Sequence, residues 1–368
     1  MKKYFYFLII AITSLFSCNF LSKKQKGNWI TLNDTVAFNV GFPSANINYS
    51  EYNEKEYIAF ADFRTTKKIV LFDIQGKLLY AIPVDKLLEN GKTILISFDI
   101  ISPDSIALLT AYTNNVLLIN SMAEMIYKKD YSPLLLEGIE LWTPICFDKK
   151  FLRVCINYLD HNLPKYPSKE DFVNSNARGL SFYNLMADTA FYTDAKPILQ
   201  LDSIYCRFAS EKQFTTEGNH ILMLDSLNIF YSAYSDTLYV YNLAGQLKKT
   251  VVVKSDYTTT RINPITYEQY WQDNELLNRN FLKNGFIDKL LWDKYRNLYY
   301  CFVRSKMIEK KLPFSIIIFD KDFKKLDEIE MDYNKFYPTA FVGENGLYVK
   351  QAYNDDFKIN KFTLFRYE

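Results

Sequence analysis

The chain has 368 residues, with 44 Lys and Arg against 42 Asp and Glu and a formal net charge of +2. Near-neutrality with both signs interspersed excludes the electrostatic footprint of a nucleic-acid binder. Twenty-nine Tyr and 29 Phe beside only 11 Gly and 11 Pro describe an aromatic-packed β body rather than a disordered or collagen-like chain.

The first element is a leader. Lys2 and Lys3 precede a largely apolar run from Tyr4 to Leu15, too short for a bilayer span of roughly 20 residues and of the length of a secretory signal. The run ends in Leu15, Phe16, Ser17 and Cys18, which resembles the lipobox of bacterial lipoproteins. The resemblance implies cleavage after Ser17, so that residues 1–17 are the signal peptide, and acylation of Cys18. Two or three chains at about 0.8 kcal/mol per buried methylene hold a protein firmly on a membrane. Residues 18–28 then read as a lipid-anchored polar tether, and residues 29–368 as the folded body. Loss of Lys2 and Lys3 leaves the mature chain formally neutral.

The body is repetitive, and a fixed period takes precedence over local propensity. WITLNDTVAFNV (29–40) is strand-like and stands alone. After it, one phrase recurs: an apolar strand, a short polar turn and a second strand. Its copies are KKIVLFDIQGKLLYAIPV (67–84), NNVLLINSMAEMIYKKDY (114–131), GLSFYNLMADTAFY (179–192), SDTLYVYNLAGQLKKTVVV (235–253), FSIIIFDKDFKKLDEIEMD (314–332) and the truncated KFTLFRYE (361–368). A further strand precedes each copy, at 57–63, 104–112, 151–159, 227–234, 297–304 and 346–353. An apolar stretch ending in a turn precedes these at 94–103, 142–150, 220–227, 286–296 and 339–345, with a weaker version at 45–56. Four strands about every 50 residues is the pattern of propeller blades. The expected fold is all-β: a six-bladed β-propeller whose last unit, short of one strand, is closed by the N-terminal strand 29–40.

With YNLAGQLKKT (241–250), WDKYRNLYYCFVR (292–304) and the lipobox in view, the chain resembles the uncharacterised β-propeller lipoproteins of the Bacteroidota, related in fold to the TolB-like six-bladed propellers. The likeness runs over nearly the whole chain and implies layout, since that family has no assigned activity. The acidic residues that some such lipoproteins carry behind the cysteine are absent from NFLSKKQKGN (19–28). The expected location is therefore the cell envelope, lipid-anchored, on the outer membrane facing the periplasm.

If strands are named a to d from the axis outward, the a–b and c–d turns share one face and are short. The b–c loops and d–a crossings share the other and hold the long insertions, including 160–178, 254–285 and 305–313. Long loops on a rigid scaffold concentrate function. In 254–285, Pro264 followed by TYEQYWQDNELLNRNFLKN predicts a helical insertion near 264–284, with Tyr267, Tyr270, Trp271, Leu277 and Phe281 able to share a side. On this face Arg64, Tyr112 and Arg304 occupy equivalent strand ends. Tyr158, Asp160 and His161 leave another strand, and Tyr267, Tyr270 and Trp271 lie in the crossing. Aromatics with cations and a carboxylate suit stacking on, and hydrogen bonding to, a sugar or peptide.

Catalytic signatures are missing from the sequence: it has no GxSxG, no GK[ST] loop, no dinucleotide fingerprint and no HExxH. His161 and His220 are the two histidines, and Cys146, Cys155, Cys206 and Cys301 form no CxxC, so a zinc cluster is unsupported and buried thiols are expected. The expected function is a membrane-tethered, non-catalytic binding protein that takes a glycan, a peptide or an envelope protein, with no cofactor and no nucleic-acid partner. The alternative is a lactonase-like hydrolase with Ca2+ in the central channel, the candidate oxygen ligands being Asn46, Asn48, Asp99, Glu140, Asn219 and Asp288.

Overall fold

A computed structural model describes residues 29–42, 46–87, 94–111, 115–130, 140–147, 151–157, 181–186, 213–214, 219–233, 235–242, 246–262, 265–266, 272–273, 275–309, 311–352 and 358–367. Period-two apolar segments rich in Val, Ile, Phe and Tyr pair as antiparallel meanders, each with four strands in sequence order. The first is β2 (Asn46–Tyr52), β3 (Lys55–Asp62), β4 (Lys68–Asp73) and β5 (Leu78–Pro83). The second is β6 (Ile94–Ser102), β7 (Ser105–Ala111), β8 (Asn115–Ile119) and β9 (Met125–Asp130). Then come β14 (Asn219–Met223) to β17 (Leu247–Val252), with β15 (Leu227–Ser232) and β16 (Thr237–Asn242) between them. The next is β19 (Phe286–Asp293), β20 (Leu298–Arg304), β21 (Phe314–Asp320) and β22 (Lys325–Met331).

The last sheet has the order β1-β25-β24-β23, in which β1 (Trp29–Asn39) pairs antiparallel with β25 (Ile359–Tyr367), outside β24 (Gly346–Gln351) and β23 (Phe336–Gly343). The leading strand is thus the outer strand of the final blade, as the unaccompanied 29–40 segment implies. The first strands of successive sheets lie next to one another, β14 by β19, β19 by β23, β23 by β2, β2 by β6 and β6 by β10 (Glu140–Phe147). They form the inner wall of a ring.

The expectation of six four-stranded blades is corrected. The described residues form five such blades together with a three-stranded sheet, β10 (Glu140–Phe147), β11 (Phe151–Asn157) and β12 (Ser181–Met186). The third unit also departs from the repeated phrase in register: in four other copies the aligned Asn or Asp opens the c–d turn, whereas Asn184 sits within the ladder opposite Arg153, and β12 runs on to Met186 opposite Phe151. Residues 187–192, where the fourth strand was expected, lie outside the described residues.

One c–d turn is repeated in four blades. Asp73 accepts the N–H groups of Gln75 and Lys77, and Asn120 those of Met122 and Glu124. Asn242 accepts the N–H of Gln246, and Asp320 those of Asp322 and Lys324. Each ladder shifts register at this turn, and the fourth residue, where described, has positive φ: Gly76, Ala123 and Phe323. This is a tight hairpin turn closed by a bulge, and it is what the polar interruption of the repeated phrase encodes.

Hydrophobic cores lie between blades. The one at the closing seam gathers Phe38, Ile58, Phe60, Val70, Phe72, Phe341 and Phe362 from the last and first sheets. A second contact crosses the same seam, where Glu56 accepts Tyr49 Oη at 2.7 Å and the Glu344 N–H at 2.6 Å.

The helical insertion starts later than expected. Ile265–Thr266 forms a short strand, β18, paired with β13 (Gln213–Phe214), because this β-branched pair favours an extended conformation. Gln272 is helical and helix α1 covers Leu276–Lys283, while residues 267–271 and 274 lie outside the described residues. Before α1, Asp273 accepts the Glu275 N–H and pairs with Arg279.

Candidate functional site

The loop face is fixed by topology. Every inner strand starts there and every second strand ends there, so β19 brings Asp288 and Lys289, and β14 brings His220, close to the mouth of the ring. The β19–β20 ladder slips between Ile287 and Lys289, leaving Asp288 as the extra residue. A bulge of this kind bends the strand and re-aims side chains. It explains how two consecutive charged residues are tolerated in the apolar strand FIDKLLWD.

Arg304, the last residue of β20, donates from Nη2 to Asp288 Oδ1 at 2.7 Å. Its guanidinium carbon lies 5.3 Å from the centroid of the Phe286 ring, within cation–π range, while its Nε is buried without a hydrogen-bond partner. Lys289 is half-buried, and its Nζ makes no hydrogen bond or ion pair among the described residues. Burial pushes its pKa down, with Asp288 opposing and Arg304 adding to the shift. His220 keeps solvent-accessible surface at the mouth while protein crowds round it. That desolvation lowers its pKa, against the pull of Asp288 and with the push of Lys289 and Arg304, so the imidazole is neutral at pH 7. It stacks on Tyr231, with ring centroids 5.3 Å apart and planes at 25°. Tyr231 Oη in turn accepts the Leu290 N–H at 3.2 Å.

The cluster therefore holds two cations and a neutral imidazole against one carboxylate already paired to Arg304. Its chemistry favours an anionic group, since a carboxylate, phosphate or sulfate would offset the charge on Lys289 and meet the partly exposed guanidinium of Arg304.

The crossing above this mouth is pinned at both ends. Near its start the carboxylate of the buried Glu328 accepts Ser255 Oγ at 2.6 Å and the Asp256 N–H at 2.8 Å. At its close Gly285 packs so tightly that an added Cβ would lie 2.3 Å from the Thr259 carbonyl oxygen and 2.4 Å from Thr258 Oγ1. Helix α1 is tied to the following loop, where the Met307 N–H donates to the Leu282 carbonyl at 2.8 Å. Gly285→Ala is expected to cost about 1–3 kcal/mol, the usual range for overpacking, measured as a lowered urea midpoint at unchanged slope.

Of the ligand residues expected from the sequence, Arg304 belongs to this cluster. Arg64 is exposed in the β3–β4 loop, where its N–H donates to Asp62 Oδ1 at 3.0 Å. Tyr112, Tyr158, Asp160, His161, Tyr267, Tyr270 and Trp271 lie outside the described residues.

Among the channel oxygens, Asn48 Nδ2 donates to Asp99 Oδ1 at 3.0 Å and Asp288 is committed to Arg304. Asn46 is exposed at the start of β2, and Glu140 and Asn219 begin β10 and β14. Among the described residues no group of three or more His, Cys, Asp or Glu gathers to hold a metal ion. Cys301 is a buried free thiol, as expected. Lys289 was missed by sequence reasoning, although the adjacent charges of Asp288 and Lys289 in an inner strand are the signal of the bulge.

The comparisons with known proteins agree with this architecture. The model of a domain of unknown function, DUF4221, matches residues 19–330. A crystal structure of a DUF4221 member from Bacteroides vulgatus superposes with a TM-score of 0.70 at 20% identity, over 94% of this chain and 99% of that one. A protein from Bacteroides fragilis whose name designates it as exported superposes at 0.51 and 9% identity, over 93% of this chain and 98% of that one. At these identities the likeness is one of fold. No curated protein matches. Because the family model spans most of the sequence and a solved member shares the ring over nearly its full length, this chain belongs to the DUF4221 family.

Proposed function

We propose that the chain is a TolB-like lipoprotein of the bacterial envelope, held through Cys18 on the outer membrane facing the periplasm. It binds, without chemical change, the acidic group of a glycan, a peptide or an envelope protein at the loop-rich mouth of the ring. The observation that carries this reading is Lys289, a half-buried ammonium without a hydrogen-bonded partner among the described residues, beside an Arg304–Asp288 pair whose charge is already balanced. The envelope location is supported by the leader and lipobox and by the exported designation of the B. fragilis protein of the same fold. Among the described residues no helix is long and apolar enough to cross a membrane.

Calorimetric titration with a uronic-acid oligosaccharide and with an acidic peptide tests the reading. Lys289→Met or Arg304→Met is expected to weaken binding about tenfold or more, the worth of one charge-assisted hydrogen bond. Lys289→Met is also expected to raise the unliganded protein's stability by about 0.5–2 kcal/mol, because the partnerless charge serves binding at the expense of folding. Equal affinity of the wild type and both variants for every acidic ligand, or turnover of the ligand, would overturn it.

A further inference from the structure

The face opposite the mouth carries a pattern of its own, on which the ring's orientation depends. Outer strands begin at this smooth face, immediately after the short c–d turns. Each of the five four-stranded blades exposes a large apolar side chain there. Leu78 begins β5, Met125 begins β9 behind the turn residue Met122, and Leu247 begins β17. Leu326 is second in β22 and Ile30 second in β1. Met122 is 70% exposed and Leu78 53%, values at odds with a face built only for water. Lysines stand beside these residues, with Lys77, Lys128, Lys248 and Lys324 all exposed. Acidic groups are interspersed, with Glu124 and Asp322 exposed in the c–d turns, and Glu54, Asp73 and Glu344 line a groove of about 640 Å3 with Lys55.

The route of the chain supplies the second observation. Trp29 pairs with Tyr367, the last residue of β25, and β25 runs from the loop face to the smooth face. The chain therefore enters the ring at the smooth face. The segment just before Trp29 carries Lys23, Lys24 and Lys26.

We infer that the smooth face docks on a phospholipid surface, its rim of Leu78, Met122, Met125, Leu247, Leu326 and Ile30 resting in the headgroup region with the neighbouring lysines on lipid phosphates. This rests on the anchoring of Cys18 proposed above. A tether of about ten residues spans at most roughly 35 Å when extended, so it holds the edge of this face, where Trp29 enters, within that reach of the bilayer. Methionine, leucine and isoleucine flanked by lysine suit the membrane interface, and each lysine there gains from anionic lipid. The mouth with Lys289 and Arg304 then points away from the membrane, toward soluble ligand.

The test is hydroxyl-radical footprinting of the full mature chain on vesicles of phosphatidylethanolamine with phosphatidylglycerol. The reference is the same chain released from the vesicles by protease cleavage in the tether. Met122 and Met125 are expected to lose labelling about fivefold or more on the vesicles, while Tyr257, 50% exposed in the crossing on the loop face, keeps its labelling. Equal labelling of Met122 in the two states, or protection of Tyr257 instead, would overturn the inference. Intact mass reports the acylation of Cys18 separately. An unacylated chain would refute the anchor, and its footprint with the same vesicles would still decide which face, if any, meets lipid.

Discussion

Phe38→Ala is expected to be the most damaging single truncation in the closing strand. Phe38 has no exposed surface, and its ring lies 5.2 Å from Phe60, 5.5 Å from Phe72, 5.8 Å from Phe362 and 6.5 Å from Phe341. Those four rings come from the first and last blades, so the side chain is the shared filler of the seam. Loss of a buried Phe costs about 3–5 kcal/mol in transfer and cavity terms. At this position the damage also weakens the attachment of β1, whose pairing with β25 joins the two ends of the chain. Urea denaturation should show the full loss for Phe38→Ala, with Asn39→Ala, exposed on the same strand, within about 0.5 kcal/mol of wild type. A loss below about 1 kcal/mol for Phe38→Ala would mean that the seam relaxes around the cavity and that ring closure rests elsewhere.

Asp293→Ala is expected to be comparably severe for an electrostatic reason. The carboxylate is fully buried at the end of β19 and accepts the N–H groups of Tyr295 and Arg296, both at 3.0 Å. It also accepts Arg296 Nη1 at 3.1 Å and Tyr300 Oη at 3.2 Å. Arg296 spans outward to the Glu344 carbonyl at 2.7 Å, joining this turn to the last blade. Removing the acid leaves a largely buried guanidinium and a buried hydroxyl without their acceptor, and breaking such a pair costs about 3–5 kcal/mol. Asp293→Asn keeps an acceptor oxygen for the backbone donors and is expected to recover part of that loss. Thermal unfolding of the two variants side by side checks the ordering. If they unfold alike, the acceptor oxygen that asparagine keeps recovers nothing, and the whole loss belongs to the charge on Asp293.

Asp293 also shows what was legible in the sequence. WDKYRNLYYCFVR stood out as one of the runs that carry the family resemblance, and its physical content is the turn that Asp293 organises, with Asn297 in the left-handed region at φ 54°. The repeated strand–turn–strand phrase was legible because Asp73, Asn120, Asn242 and Asp320 impose one local hydrogen-bond pattern that needs no tertiary context. The closing role of 29–40 followed from counting strands. The third unit was misread because Asn184 is the same residue type as Asn242 and differs only in register against β11, which composition does not carry. The helix was started too early because Ile265 and Thr266 pair with a segment some 50 residues earlier, a partner that local sequence does not reveal. Arg304 was chosen for its strand end, and its partnership with Asp288 and the half-buried charge of Lys289 became visible only once the bulge was placed.

The pairing of Trp29 with Tyr367 has a consequence for how the molecule comes into being. The first strand of the body to be synthesised is the one whose partner is made last, so it must wait unpaired while the intervening blades assemble on their own local hairpins. Contacts of such sequence separation slow the final step more than they weaken the product. Until that step a strand edge stays open to other chains. Folding therefore passes last through its most aggregation-exposed state, and the speed of the last ladder decides how long that state persists.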